Sequence, residues 1–235
     1  MQKKESWEQN LKQQARKEIY KKMTVWGGIL LLCIVGLAGL VMFAGKSTST
    51  NQTPVELSTL PAPKSTDIIV GDKNAKVVIT EYADFQCPAC AANNPITNRV
   101  LEEYKGKVKL VYRFFPLRGI HKNALISAQA AYASWRLGKF EEMKDMLYEN
   151  QSSWENLGDP SETFVNYAKD LGLNENEFKA LMTSDEAKKA VESGEKESLG
   201  LGLNSTPSFF IGNKRFQLQG FDGFKKVIDE ELSRQ

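Results

Sequence analysis

Along the chain, the pattern of hydrophobic and polar positions changes character three times. From Met23 to Gly45 no Asp, Glu, Lys, Arg or His occurs, and Ile29 to Phe43 is almost entirely Leu, Ile, Val, Ala and Gly. From Lys46 to Thr66 the pattern turns polar: nine of these 21 residues are Ser or Thr, and Pro54, Pro61 and Pro63 stiffen the run. From Asp67 onward, strand and helix periods alternate. Ile68–Val70 reads as a short strand broken at Gly71-Asp72, and Lys76–Ala83, rich in β-branched residues, as a buried central strand. A helix is predicted from Pro88 to about Tyr104 with a kink at Pro95. Lys107–Phe115 places Val108, Leu110, Tyr112 and Phe114 on one face of a second main strand. A strand–helix–strand connection this long is a parallel βαβ unit.

Between about 120 and 200 no strand is predicted. Leu125, Ala128, Tyr132 and Trp135 recur at helical spacing, then Phe140, Met143 and Leu147, then Phe164, Tyr167 and Leu171. Two short strands follow, Ser208–Gly212 and Lys214–Leu218, joined at Gly212-Asn213 in a hairpin-like turn. A last helix carries Phe224, Val227, Ile228 and Leu232 on one face, with Asp222 as its expected cap. The predicted order is ββαβ, a helical block, then ββα, without an internal repeat.

The uncharged run of 23 residues is long enough, at about 1.5 Å per residue, to cross a hydrocarbon core of ~30 Å, with Trp26 as an interfacial anchor. A single transmembrane signal-anchor helix over 23–45 is therefore expected. Lys12, Arg16, Lys17, Lys21 and Lys22 crowd its N-terminal side, whereas only Lys46 and Lys64 lie close beyond it. The positive-inside rule then gives a basic cytoplasmic tail (1–22), a Ser/Thr/Pro linker (46–66) and an extracytoplasmic domain (67–235). A cleaved signal peptide fits less well, because the run exceeds the usual apolar core and no small-x-small site follows it. Cys33 reads as a small apolar filler within the span.

Composition sharpens this division. The chain has 235 residues, 41% hydrophobic and 26% charged, which excludes disordered, collagen-like and disulfide-scaffold classes. Its net charge of +2 conceals a tail with seven Lys/Arg against three Asp/Glu, so everything after residue 22 is slightly acidic. That balance argues against a nucleic-acid partner.

Cys87-Pro88-Ala89-Cys90 carries the clearest chemistry. It falls where the central strand meets a helix N-terminus, where the dipole and unpaired N–H groups stabilise a thiolate. Pro88 suits the first helical turn. A structural disulfide across two residues would close almost no chain, and a zinc site lacks ligands, since His121 is the only other candidate in the domain. A redox-active dithiol remains. A second signal is Thr206-Pro207-Ser208-Phe209-Phe210, with proline at the very start of an apolar strand.

Together these stretches, with Glu81-Tyr82-Ala83-Asp84-Phe85-Gln86 before the dithiol and Arg113-Phe114-Phe115-Pro116-Leu117, resemble the DsbA-like branch of the thioredoxin superfamily, especially its membrane-anchored bacterial thiol-disulfide oxidoreductases. The resemblance implies an α/β thioredoxin fold with a helical subdomain inserted at about 120–200. It implies that Cys87 is the exposed nucleophile and Cys90 the more buried resolving cysteine. Pro207 takes the place of a cis-proline packed against the disulfide, and Thr206 that of a backbone partner for extended substrate. Glu81, six residues before Cys87, takes that of a buried acid assisting proton transfer. The lone His121 reads as a packed or capping residue without a catalytic role. Ala89 departs from the histidine found there in strong oxidants of the group, which should make the couple less oxidising by some tens of millivolts.

The resulting expectation is an enzyme that oxidises cysteine pairs of exported, unfolded proteins through a mixed disulfide. A membrane quinone-linked partner of the DsbB or VKOR type would reoxidise it, and no cofactor or metal is expected. A reductase or isomerase with the same site, and an anchored peptide-binding module without chemistry, are the alternatives.

Overall fold

The two β-branched runs pair in parallel at the centre of one sheet. β2 (Val77–Ala83) lies beside β3 (Val108–Phe114) with Ile79 opposite Leu110 and Glu81 opposite Tyr112. The helix joining them, α1, runs from Pro88 to Glu103 and continues through Pro95. β1 (Ile68–Gly71) adds antiparallel to β3, and β4 (Ser208–Ile211) adds antiparallel to β2. β5 (Lys214–Phe216) closes the order β1-β3-β2-β4-β5. Gly212 takes φ +57° in the β4–β5 turn and Asn213 after it does not have positive φ, the pattern a II′ hairpin requires. The computed structural model describes residues 60–64, 67–217 and 220–234.

The insertion comprises α2 (Ala124–Arg136), α3 (Phe140–Glu149), α4 (Gln151–Trp154), α5 (Ser161–Asp170), α6 (Glu175–Met182) and α7 (Asp185–Gly200), and the chain ends in α8 (Gly220–Leu232). The main core joins Ile79, Ala83, Leu110 and Tyr112 of the sheet to Val100 of α1, Phe224 and Ile228 of α8, and Met143, Leu147, Phe164 and Phe178 of the insertion. A smaller cluster, Tyr82, Phe115, Leu203 and Phe210, covers the other side of the sheet. α7 reaches that side by crossing β3 at Gly194, where a Cβ would lie 2.5 Å from the Phe114 carbonyl oxygen. Only glycine lets the two backbones approach so closely.

Several expectations change in the packed molecule. β3 buries Val111 and Arg113 as well as its predicted face, because it is an inner strand covered on both sides. α2 is enclosed around most of its circumference, so Leu125 and Trp135 sit at the rim while Ser127 and Ala130–Ser134 are buried. Asp222 lies inside the first turn of α8 and does not precede it as a cap. An acid there still complements the helix dipole. Residues 60–64, within the predicted linker, lie against the domain. Leu60 packs on the smaller cluster, and buried Arg113 donates to the Pro61 carbonyl (3.0 Å) and to Asp67 (3.0 Å) while pairing with Glu197 (2.9 Å). The predicted membrane helix, 23–45, and the tail, 1–22, lie outside the described residues. Among the described residues no helix is long and apolar enough to cross a membrane.

Candidate active site

β2 ends at Ala83, and four residues later Cys87 occupies the N-cap of α1 in an extended conformation (φ −77°, ψ 119°), with Pro88 opening the helix. No side chain caps this terminus, so its first N–H groups face the sulfur. The Cys87 thiol is lowered to about 5. The first cause is a hydrogen bond from the Cys90 S–H. It outweighs burial and is reinforced by Thr206 and by the N–H groups of Cys90 and Ala89. Both cysteines are free thiols here, and Cys87 Sγ donates to the Thr206 carbonyl at 3.3 Å. The Thr206 hydroxyl has no partner in this state although it is buried. On ionisation it is the Thr206 group able to donate to the sulfur.

Cys90, one turn into α1, is fully buried. Burial first, then the neighbouring Cys87 sulfur and the charge of Glu81, hold its thiol well above the usual range. Cys87 retains 8% exposure, so the expected order of exposure holds, but the nucleophile is covered except for an edge. The Thr206–Pro207 peptide is cis and leads directly into β4.

Glu81 lies between Ile79 and Ala83 on the face of β2 that meets the main core. Burial lifts its carboxyl to about 7, with the charge of Lys144 pulling the other way. Lys144 is itself buried on α3, donating to Asn98 Oδ1 (2.8 Å), to Asp145 Oδ1 (2.7 Å) and to Asn94. Tyr112 and Tyr148 share a buried 2.7 Å hydrogen bond in the same region. Burial raises both phenols, and the charges of Glu81 and Cys90 add to the effect. The structure therefore brings all five sequence-predicted residues into one neighbourhood and adds Lys144, Tyr112 and Tyr148. Lys144 had a signal in the sequence: with Phe140, Met143 and Leu147 it completes an i, i+3, i+4, i+7 stripe.

The loop before Cys87 is tied to the insertion residue by residue. The Asp84 carboxylate accepts from the N–H groups of Gln86 and Leu117 (both 2.8 Å) and pairs with His121 Nδ1 at 2.7 Å. Gln151 donates to the Phe85 carbonyl (2.7 Å). Gln86 accepts from the Asn123 N–H (2.7 Å) and donates to the Glu155 carbonyl (2.9 Å). His121 is thus packed, as expected, but against an acid of the active-site loop. Among the described residues no group of His, Cys, Asp and Glu converges in a way that could hold a metal ion. A cavity of about 480 Å³ between β3, α2 and α7 has neither sulfur in its wall.

Comparison with known proteins agrees with this arrangement. A family model described as thioredoxin matches residues 64–230. Probable disulfide bond formation protein D of Bacillus anthracis is 30% identical over 177 residues, 72% of this chain and 80% of that protein. Na(+)/H(+) antiporter NhaA 3 of Salinispora tropica is 29% identical over 156 residues, 66% of this chain but 23% of the antiporter, so the chain spans about a quarter of that relative's length. Among solved structures, alpha-DsbA1 of Wolbachia pipientis superimposes with a TM-score of 0.66 at 21% identity, covering 73% of this chain and 94% of that one. Oxidised BdbD of Bacillus subtilis gives 0.64 at 21% identity, covering 71% and 93%. These two likenesses establish the fold, including its helical insertion. The chain belongs to the thioredoxin family, and the matched residues include Cys87, Cys90, Thr206 and Pro207.

Proposed function

We propose that this chain is a membrane-anchored, extracytoplasmic oxidase of cysteine pairs in exported proteins. The observation that carries the reading is the opposed acidity of two sulfurs in one helical turn, Cys87 lowered to about 5 and Cys90 raised. In the oxidised enzyme a substrate thiolate attacks Cys87 Sγ, the Cys87–Cys90 bond breaks, and Cys90 departs with the electron pair and takes up a proton. Glu81, buried and lifted to about 7, is suited to supply that proton. A second substrate thiolate then attacks the substrate sulfur of the mixed disulfide. Cys87 leaves as a stable thiolate, so the substrate is oxidised by two electrons and the enzyme reduced by two. Pro207 and Thr206, beside Cys87, would hold the substrate strand.

The uncharged run 23–45 and the basic tail 1–22 support a single-pass anchor with the tail in the cytoplasm and residues 67–235 outside. A quinone-linked membrane protein of the DsbB or VKOR type would return the enzyme to the disulfide. No bound cofactor or metal enters the scheme. Ala89 between the cysteines favours a milder couple and keeps a reductase or isomerase direction as the second reading.

Two measurements test these readings. Cys90→Ser should accumulate mixed disulfides with exported proteins through Cys87, whereas a peptide-binding module would show none. A reduction potential near about −120 mV supports the oxidase, and one near about −270 mV would sink it in favour of a reductase.

A further inference from the structure

The side chain of Asp84 is fully enclosed, and both of its carboxylate oxygens accept hydrogen bonds that shape the turn presenting Cys87. One oxygen takes the Gln86 N–H, the other takes the Leu117 N–H and His121 Nδ1, and the Asp84 carbonyl takes the Cys87 N–H at 3.1 Å. A carboxylate only accepts, so His121 holds its hydrogen on Nδ1. The ring is 16% exposed. His121 stands at the head of the insertion: its N–H returns to the Leu117 carbonyl (2.9 Å) and its carbonyl accepts from Ala124, the first residue of α2. Phe85 and Gln86 are fixed by Gln151, Asn123 and Glu155, so each of the three residues before Cys87 is held by chain belonging to, or leading into, the insertion. The hydrogen bonds that ionised Cys87 receives from Cys90, Thr206 and Ala89 require its sulfur to be placed within a few tenths of an ångström.

We propose that His121 is a positioning residue for thiol-disulfide exchange: through Asp84 it fixes the 84–87 turn that aims Cys87 at its hydrogen-bond donors, making the insertion a determinant of the sulfur's reactivity. This rests on the exchange reading above. His121 acts through Asp84, without touching the reacting sulfurs.

The test is the midpoint of the thiolate absorbance of reduced Cys87, with Glu81 and Cys90 left intact. His121→Leu keeps bulk and removes the donor, while His121→Asn puts an amide nitrogen where Nδ1 stood. The Leu variant should raise the midpoint by about one unit, a tenfold loss of thiolate below it. The Asn variant should return it most of the way. Phe178→Leu, a buried change on α6, controls for general loosening of the insertion and should leave the midpoint in place. An unmoved midpoint in His121→Leu, an equal shift in Leu and Asn, or an equal shift in Phe178→Leu would each overturn the proposal. If the Leu variant does not fold, nitrogen NMR of the unsubstituted protein decides. The imidazole should be the Nδ1–H tautomer and its signals should move as Cys87 ionises, and signals indifferent to that ionisation overturn the pairing. Failure of Cys90→Ser to trap any mixed disulfide strikes the exchange reading instead, and is read independently.

Discussion

The two ends of the first turn of α1 hold the same side chain in opposite surroundings. Cys87 stands at the N-cap, where N–H groups converge and the residue keeps a small exposed edge. Cys90 lies beneath it, sealed against the sheet, near a carboxyl group that also resists ionisation. The contrast is partly mutual: the Cys90 S–H that stabilises a Cys87 thiolate is the hydrogen Cys90 then cannot release. Near neutral pH the reduced pair therefore behaves as one titrating unit with a single proton held on the inner sulfur. Reactivity at the outer sulfur and its restraint at the inner one come from one geometry.

The strongest way to break this comparison is to remove each sulfur in turn. Both Cys87→Ser and Cys90→Ser should lower turnover by on the order of 10³-fold or more, yet only the second should leave a covalently trapped substrate, seen on non-reducing gels. Equal trapping by both would mean that the sulfurs are interchangeable.

Next in size is a pH effect on stability. An acid whose folded value is depressed stabilises the fold above its unfolded value and loses that contribution as pH falls through the folded one. For Cys87 the window runs from about 9 down to about 5. The stability of the reduced domain minus that of the oxidised one should thus grow by about 1.4 kcal/mol per pH unit as pH rises from the lower end of this window to the upper, measured by denaturant titration of both forms.

Glu81→Gln sharpens the inner half of the comparison. Because burial raises this acid from 4.5 to about 7, the folded form loses stability as pH rises between those values. The Gln variant should be about 1–3 kcal/mol more stable than the parent above pH 7, with no such gain below about pH 4. Proton delivery to Cys90 should slow about tenfold, and the pH–rate profile should lose its inflection near 7. Smallest is Thr206→Val, which removes one donor to the outer sulfur and should raise the Cys87 midpoint by about half a unit, read from thiolate absorbance.

Much of the fold was legible because its signals are local. β-branched runs flanking a proline-opened helix give the parallel β2–α1–β3 unit, and the dithiol marks the junction. Proline at the head of an apolar strand placed the other wall of the site. What escaped depends on tertiary contact. Asp84 and His121 are 37 residues apart, and nothing in either segment alone announces their pairing. Tyr112 is placed by its strand's alternation, but only its meeting with Tyr148, 36 residues on, buries two hydroxyls against one another. Lys144 carries a charge that ordinarily keeps lysine in solvent, although its position on an apolar stripe pointed inward. The burial of Arg113 follows from its strand being central and from Pro61 and Asp67 arriving to accept its hydrogens.

One consequence of the sheet concerns its rims. β5 is three residues long, carries Lys214 and Arg215, and anchors Arg215 back to Ser208 at 2.8 Å. At the opposite rim β1 is four residues long and ends on Gly71 at φ +93°. Neither presents the long, flat, apolar ladder on which a stray strand could dock. These short, charged or twisted borders leave little ladder for the unpaired backbone of another chain to extend.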